Sequence, residues 1–356
     1  MTGLAQPRLS GGKEKVSRKI GALLMRDISV HDDGVYASGG VDAMLVGRRG
    51  SGKTTMELQI AAGVRHLKGN AKKSNMTKDT HTSLETVIWR GRKYDYWNTL
   101  LPENLHKSYP DAFLKPVHVH YYFEDELDFY MQPASRRVPI DFNNGCRLIP
   151  YRTAAELYRN LVKGANNVVY EPAQYRLPKE IIERITKRKL EIRRRSRRRK
   201  GDDEEEQTIP APSSVFWFEF AERLIELKAR DEFFTVIIDE AHQVFPASAR
   251  GEHWHLVDWF ANTVIDLRRQ NVTLIPATHD TTLVDYRITY RMEYFLWMPG
   301  SVPIPGRTRV HPNLIGSLVV GEAVAELIGS MFGMVYFDQI PNQPPIVQVD
   351  GAPSFS

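Results

Sequence analysis

Short apolar runs alternate along this chain with longer stretches of helical period. Ala43–Val46 is apolar throughout. Thr55 to Leu67 carries Met56, Leu58, Ile60 and Ala61 at helical spacing and stops near Gly69. Thr86–Trp89 reads as a second strand, and Val117–Phe123 alternates as a strand does. Arg147–Pro150 is another short run. Thr153-Ala154-Ala155-Glu156 then fits a capping box opening a helix to about Val162, and Asn167–Tyr170 is a further strand. Pro210-Ala211-Pro212 punctuates the chain, after which Ser213 or Ser214 can cap a helix to about Arg230. Phe233–Ile238 is an apolar run broken only by Thr235, the pattern of a parallel strand buried on both faces. His253–Arg269 places Leu256, Trp259, Phe260, Val264 and Leu267 on one helical face. Val272–Ala277 and Tyr294–Met298 follow as strands, and Glu322–Phe332 as a helix leading into a strand at Met334–Phe337. Strands alternating with helices predict an α/β fold, a mainly parallel central sheet flanked by helices.

The segmentation is uneven. Residues 1–35 form a polar lead-in, 36–340 one large domain, and 341–356 a C-terminal tail. Within the large domain a long insertion, about 90–212, is rich in Pro, Tyr and charge, and no internal repeat is present. The chain has 356 residues, 42% apolar and 26% charged, as in a soluble globular protein. Its single cysteine, Cys146, leaves no internal disulfide and no Cys-based metal cluster, which points to a reducing, cytoplasmic setting. The apolar run Ile20–Met25 is too short for a signal-peptide core. The tract Leu314–Phe337 carries Glu322 and Glu326, carboxylates too costly for a membrane span.

The net charge of +5 suggests nucleic acid until it is located. Most of the surplus sits in the charged segment 183–208, where Arg193–Lys200 is almost wholly basic and Asp202–Glu206 wholly acidic. These blocks read as a solvated helix running into a loop, as a loop facing DNA phosphates, or as a partner-docking tail. Composition alone therefore does not establish a DNA-binding surface.

Chemistry begins directly after Val46. Gly47-Arg48-Arg49-Gly50-Ser51-Gly52-Lys53-Thr54 is a phosphate-binding loop between a strand and a helix. Small residues let backbone N–H groups close around phosphates, and the helix N-terminus adds its dipole. Gly47, Gly50, Ser51, Gly52, Lys53, Thr54 and Thr55 form the expected ATP-binding set, with Lys53 on the β/γ-phosphates and the Thr54 hydroxyl on Mg2+. The strand Phe233–Ile238 delivers the complement, Asp239-Glu240, to its C-terminal edge. There Asp239 can hold the metal, and Glu240 can orient or deprotonate the attacking water. Asp239-Glu240-Ala241-His242 also spells the DEAH box of superfamily 2 helicases, but only 116 residues follow Glu240 and no second Arg-rich motif occurs among them.

The run Arg268-Arg269-Gln270-Asn271-Val272-Thr273-Leu274-Ile275-Pro276-Ala277-Thr278-His279 resembles the FtsK–HerA superfamily of P-loop ATPases, in which an Arg precedes an apolar strand ending in Ala-Thr-Gln. The order of motifs is also similar, over two blocks, Ala43–Leu67 and Phe233–Asp285. The resemblance implies a RecA-like ATPase domain over 36–340. In that domain His279 would take the place of the polar γ-phosphate sensor, and Arg268 that of an arginine finger completing a neighbour's site. Arg269, Arg250, Arg287 and Arg291 are rival fingers. Three departures stand out: His279 for Gln, Asn271 where Gly is usual, and Pro276 inside a strand expected to be central. With no long N-terminal membrane or barrel domain, the chain looks most like genome-packaging, DNA-translocating ATPases of viruses. That likeness implies double-stranded DNA as partner, a homo-oligomeric ring with six subunits as its expected number, and contact with capsid or membrane-vertex proteins. A viral chain would sit in the host cytoplasm or with the virion. A helicase, an AAA+-type remodelling ATPase or a nucleotide-gated assembly scaffold are the alternatives.

Lesser signals are two histidine pairs, His118/His120 and His253/His255, which read as polar residues on a half-exposed surface; two histidines could begin a zinc site but have no third ligand at a telling distance. The acidic cluster Glu124–Asp128 reads as solvated surface or a subunit contact, and Trp254 and Trp259 fit core positions.

Overall fold

Strands that are apolar on both faces need a sheet covered on both sides, and ten strands supply it. The computed structural model describes residues 27–31, 34–37, 42–63, 68–69, 85–91, 116–125, 146–175, 182–183, 210–229, 232–304, 308, 310, 312–318, 322–327 and 346–348. The charge blocks at 193–206 and the expected strand Met334–Phe337 lie outside these residues. The strands are β1 (Asp27–His31), β2 (Gly34–Ala37), β3 (Ala43–Val46), β4 (Lys68–Gly69), β5 (Glu85–Gly91), β6 (Val117–Tyr122), β7 (Cys146–Tyr151), β8 (Asn166–Tyr170), β9 (Phe233–Ile238), β10 (Val272–Thr278), β11 (Tyr294–Trp297), β12 (Glu322–Leu327) and β13 (Ile346–Gln348). The main sheet runs β13-β12-β11-β3-β10-β9-β5-β8-β6-β7, and β2-β1-β4 form a small second sheet. Every neighbouring pair from β11 to β7 is parallel. Only β12 runs against the rest, antiparallel to both β11 and β13. Strands β6, β7 and β8, from the long insertion, extend the same sheet at one edge.

The helices are α1 (Lys53–Gly63), α2 (Ala154–Asn160), α3 (Pro212–Leu227), α4 (Gly251–Arg269), α5 (Tyr286–Thr289) and α6 (Pro312–Gly316). Successive strand residues feed opposite cores. Met44, Val46, Phe234, Val236, Ile238, Phe295 and Trp297 join one that holds α2, α3 and α4; Ala43, Leu45, Ile237, Leu296 and Met298 join the other, with Met56, Ile60 and Ala61 of α1. Helix α2 opens as the capping box requires, Thr153 Oγ1 accepting the Glu156 N–H at 3.1 Å. Helix α3 starts with Pro212 in its first turn and no side-chain cap, so Ser213 and Ser214 fall inside it instead of capping it.

Helix α3 is nearly encircled by protein. Its Phe216, Trp217, Phe218 and Phe220 are all buried, and Phe218 meets Trp259 and Phe260 of α4 with ring centroids 5.0 and 6.1 Å apart. Phe218→Ala is expected to remove about 3–5 kcal/mol of stability through the cavity it leaves, measured by denaturant unfolding, with affinity for a non-hydrolysable ATP analogue unchanged.

Two further expectations need correction. Glu322–Leu327 is strand β12, not the start of a helix. Its Ala, Glu and Leu favour helices, but pairing on both sides, with β11 and β13, overrides propensity. Glu326 is buried there and accepts Trp297 Nε1–H at 2.7 Å and the Thr308 hydroxyl at 2.6 Å. Trp254 is not a core residue but exposed, beneath the Arg287 guanidinium at 4.1 Å. Among the described residues no helix is long and apolar enough to cross a membrane.

The two irregular positions of the Arg268–His279 run have local explanations. Asn271 follows the end of α4 with φ 61°, the left-handed conformation that Gly and Asn adopt at this point. Pro276 is indeed central, paired with Ile238 on one side. Backbone N–H groups alternate sides along a strand, so Pro276 lacks the N–H that would face β3, as that of Leu274 does. On that side the Leu274 N–H is taken by Asp42 Oδ1 at 3.1 Å, and β3 pairs with β10 only from Ala277↔Leu45 onward.

Candidate active site

Parallel strands bring their C-terminal ends to one edge of the sheet, and the phosphate loop leaves β3 at that edge. Gly47 is buried between neighbours: a Cβ there would lie 2.5 Å from Ser51 Oγ and 2.8 Å from Met298 Cβ. Gly50 and Gly52 have φ of 79° and 94°, open only to glycine without strain. The Gly47 N–H is held by the Thr278 carbonyl at 3.1 Å, which ties the loop to the end of β10. Lys53 begins α1 and is 7% exposed. Its ammonium donates to the Gly47 carbonyl at 2.7 Å and the Arg48 carbonyl at 3.2 Å. Burial pushes the Lys53 pKa below its ordinary value, opposed by the charges of Asp239, Glu240 and Glu57. The buried Ser51 hydroxyl has no hydrogen-bond partner among the described residues. Thr54 is half-buried in the first turn of α1; Thr55 follows it in the helix.

Strand β10 lies between β3 and β9 and carries its end residues past both. At the end of β9, Asp239 Oδ1 accepts the Glu240 N–H at 2.7 Å. Glu240 itself has φ 49° and ψ 51°, a left-handed conformation unusual for a side chain of its size. The following Ala241–Gln243 is a single 3-10 turn. His279, one residue beyond β10, bridges the two motifs. Its Nδ1 lies 2.9 Å from Lys53 Nζ and its Nε2 2.9 Å from Glu240 Oε1. An ammonium only donates, so Nδ1 accepts, and the proton of the neutral ring sits on Nε2, facing Glu240. His242 Nδ1 approaches the other oxygen, Glu240 Oε2, at 3.2 Å. The structure therefore joins Lys53, His279 and Glu240 in one line.

The pieces present fit a nucleotide with its metal. The loop has an unpartnered hydroxyl, backbone glycines and a buried ammonium on its inner side, all complementary to phosphate oxygens. Thr54 and Asp239 offer one hydroxyl and one carboxylate, the small protein share Mg2+ takes when phosphates supply further oxygens.

Arg268 is elsewhere. It ends α4 by the N-terminal ends of the strands, opposite the phosphate loop, and is ion-paired with Glu293 just before β11. Among its rivals, Arg287 is held by Asp285 at 2.7 Å and Asp258 at 3.2 Å, and Arg269 lies 3.5 Å from Asp266. Arg250 and Arg291 are exposed. His118, His120 and His253 are buried, not on a half-exposed surface; on β6 His120 Nε2 meets Asn167 Oδ1 at 2.9 Å, and burial pushes its pKa down to about 4. Among the described residues no three His, Cys, Asp or Glu side chains gather as metal ligands.

Sequence reading missed Arg90, on β5, and Glu171, just past β8. Arg90 is 2% exposed and donates to the Asp239 carbonyl at 2.7 Å. The one signal available was a cation closing the apolar run Val87-Ile88-Trp89.

No family model matches the chain, and no curated protein matches it. Among solved structures, the N-terminal domain of zonular occludens toxin from Neisseria meningitidis is 12% identical over 82% of this chain and 86% of its own, with a TM-score of 0.28. The DNA-packaging ATPase from Sulfolobus turreted icosahedral virus is 11% identical over 74% of this chain and 96% of its own, at a TM-score of 0.29. This chain is also similar to the genome packaging NTPase of Sulfolobus turreted icosahedral virus 2 in complex with AMPPCP, at 10% identity over 86% of this chain and 97% of that one, with a TM-score of 0.38.

Proposed function

We propose that this chain is an Mg2+-dependent ATPase whose turnover drives double-stranded DNA through a ring of identical subunits, with packaging of a viral or mobile-element genome as its task. The observation that carries the hydrolytic part is the line Lys53–His279–Glu240, with 2.9 Å on either side of the imidazole. Hydrolysis needs a cation on the transferred phosphoryl group and a base on the attacking water, a few ångströms apart. In this reading Lys53 leaves the loop carbonyls for the β/γ-phosphates, and Glu240 takes the proton of the water that attacks the γ-phosphorus as the bond to the β-phosphate oxygen breaks. Thr54 and Asp239 would hold Mg2+, which would supply charge neutralisation on the phosphates. His279 touches both partners, so arrival of the γ-phosphate at Lys53 changes the hydrogen bond that orients Glu240. That is a physical route for sensing.

Ring assembly and DNA rest on the resemblance of the motif order and on Arg268 lying away from its own phosphate loop; a cytoplasmic or virion-associated setting is part of the same proposal. An arginine that cannot reach its own site can complete a neighbour's by exchanging its Glu293 partner for the neighbour's phosphate. Steady-state ATPase rates with and without duplex DNA, read alongside native mass, test the proposal. Turnover that rises several-fold with duplex DNA in an assembly of about six subunits is expected. A monomer whose rate ignores DNA overturns the translocase reading.

A further inference from the structure

We infer that Arg90 is the positioning residue that holds the Asp239-Glu240 turn, acting as a clamp anchored through Glu171 to helix α3. The inference rests on the proposed ATPase reading of the same edge. Strand β5 is the neighbour of β9 on the side away from β10, and Trp89 is level with Ile237. Arg90 therefore stands beside Ile238, under the turn that carries both carboxylates. A guanidinium stays charged at any working pH, so one that is 2% exposed must have all its N–H groups matched. The matching is one-sided in purpose. Nε donates to Glu171 Oε2 at 2.8 Å and one terminal nitrogen to Glu171 Oε1, a two-point fork on a carboxylate. The other terminal nitrogen donates to the Asp239 carbonyl at 2.7 Å and lies 3.4 Å from that of Glu240. The fork's outer nitrogen also reaches Gln243 Oε1, at 2.9 Å, in the 3-10 turn.

Glu171 is fixed in turn by α3, accepting the Ser213 hydroxyl at 2.5 Å and Trp217 Nε1–H at 2.6 Å. Burial pushes its carboxyl up, but the hydrogen bonds and charge of Arg90, with those from Ser213 and Trp217, outweigh burial and hold it below the ordinary range. The clamp thus meets the chain where it needs support. Glu240 sits at φ 49°, a conformation its side chain disfavours, and two successive carbonyls on that turn face one charged donor. The contacts to Asp239 and Glu240 go to backbone, so Arg90 fixes where Glu240 points without touching the reacting atoms.

Arg90→Lys keeps the charge but loses the fork. The expected result is a kcat lower by about 10–100-fold, with the Kd for a non-hydrolysable ATP analogue within about two-fold of the parent chain, because the phosphate loop is untouched. The paired variant Arg90→Gln/Glu171→Gln leaves no unpaired charge in the core and serves where the lysine variant fails to fold. It should bind the analogue and show the same kcat deficit. A residue that merely supports the sheet would lower the melting temperature, or affinity and rate together, with kcat per folded molecule unchanged. That outcome in either variant overturns the clamp. If the parent chain itself does not hydrolyse ATP, the ATPase reading falls first and the clamp with it, whereas an active parent with an equally active, folded lysine variant removes only the clamp.

Discussion

Replacing Glu240 with glutamine should reduce ATP turnover by about 10²–10⁴-fold while leaving ATP bound. The two side chains are the same size, and glutamine can still accept the His279 Nε2–H that lies 2.9 Å from Glu240 Oε1. The turn that aims the side chain is held from below by Asp239 Oδ1 and Arg90, neither of which the substitution touches. What is lost is a group able to take the proton from the attacking water. Binding should hold or tighten, because a negative charge facing the triphosphate has been removed. Single-turnover rates with radiolabelled ATP, beside equilibrium binding of the same nucleotide, separate the two effects. Residual turnover within a few-fold of the parent would strip Glu240 of its role as base and return attention to His242, 3.2 Å from the same carboxylate.

The extent to which the sequence revealed this site follows from how local each feature is. The phosphate loop is eight consecutive residues between a strand and a helix, so composition, spacing and flanks all speak at once. Phe233–Ile238 was legible to its end residues because a strand buried on both faces is apolar but for the small Thr235 and carries no charge until it leaves the sheet at Asp239. Strand β12 was not legible. Glu, Ala and Leu are good helix formers, and only the sheet that receives Glu322–Leu327 tells it to be extended. His279 was suggested by resemblance to a sensor strand, yet nothing across a separation of 226 positions announces that it stands between Lys53 and Glu240.

Arg90 shows the deeper limit. A charged residue at the end of an apolar strand reads as a solvent-facing terminus, and Glu171, 81 positions later, reads as another. Only the sheet order, in which β5 separates β9 from β8, brings the two together under the Asp239-Glu240 turn. Buried ion pairs of this kind are invisible to periodicity because each partner violates it. The same holds for Asp42, whose carboxylate replaces a ladder partner for Leu274 where Pro276 breaks the β3–β10 pairing. Sequence displays the groups proposed to face the substrate; topology supplies the groups that face those groups.

Lys53→Ala should fail one step earlier than Glu240→Gln. The ammonium is buried and already spends its hydrogen bonds on Gly47 and Arg48 carbonyls and on His279, so the loop is shaped around a cation that can turn to phosphate. Removing it costs charge-assisted hydrogen bonds of about 1.5–3 kcal/mol, a weakening of ATP-analogue affinity of about 10–100-fold. Turnover should fall further than affinity, since the lysine's charge counts most when negative charge builds on the transferred group. A second consequence is specific to this chain. Without the donor on Nδ1, the His279 ring is free to carry its proton on either nitrogen, and its hydrogen bond to Glu240 is no longer fixed. Nitrogen-15 NMR of the histidine ring should therefore show a single neutral tautomer in the parent chain and a mixture in Lys53→Ala. An analogue affinity equal to the parent's would remove Lys53 from the nucleotide site. An unchanged tautomer would instead cut the link between the phosphate loop and Glu240 while leaving binding in place, so the two readouts judge the two halves of the site separately.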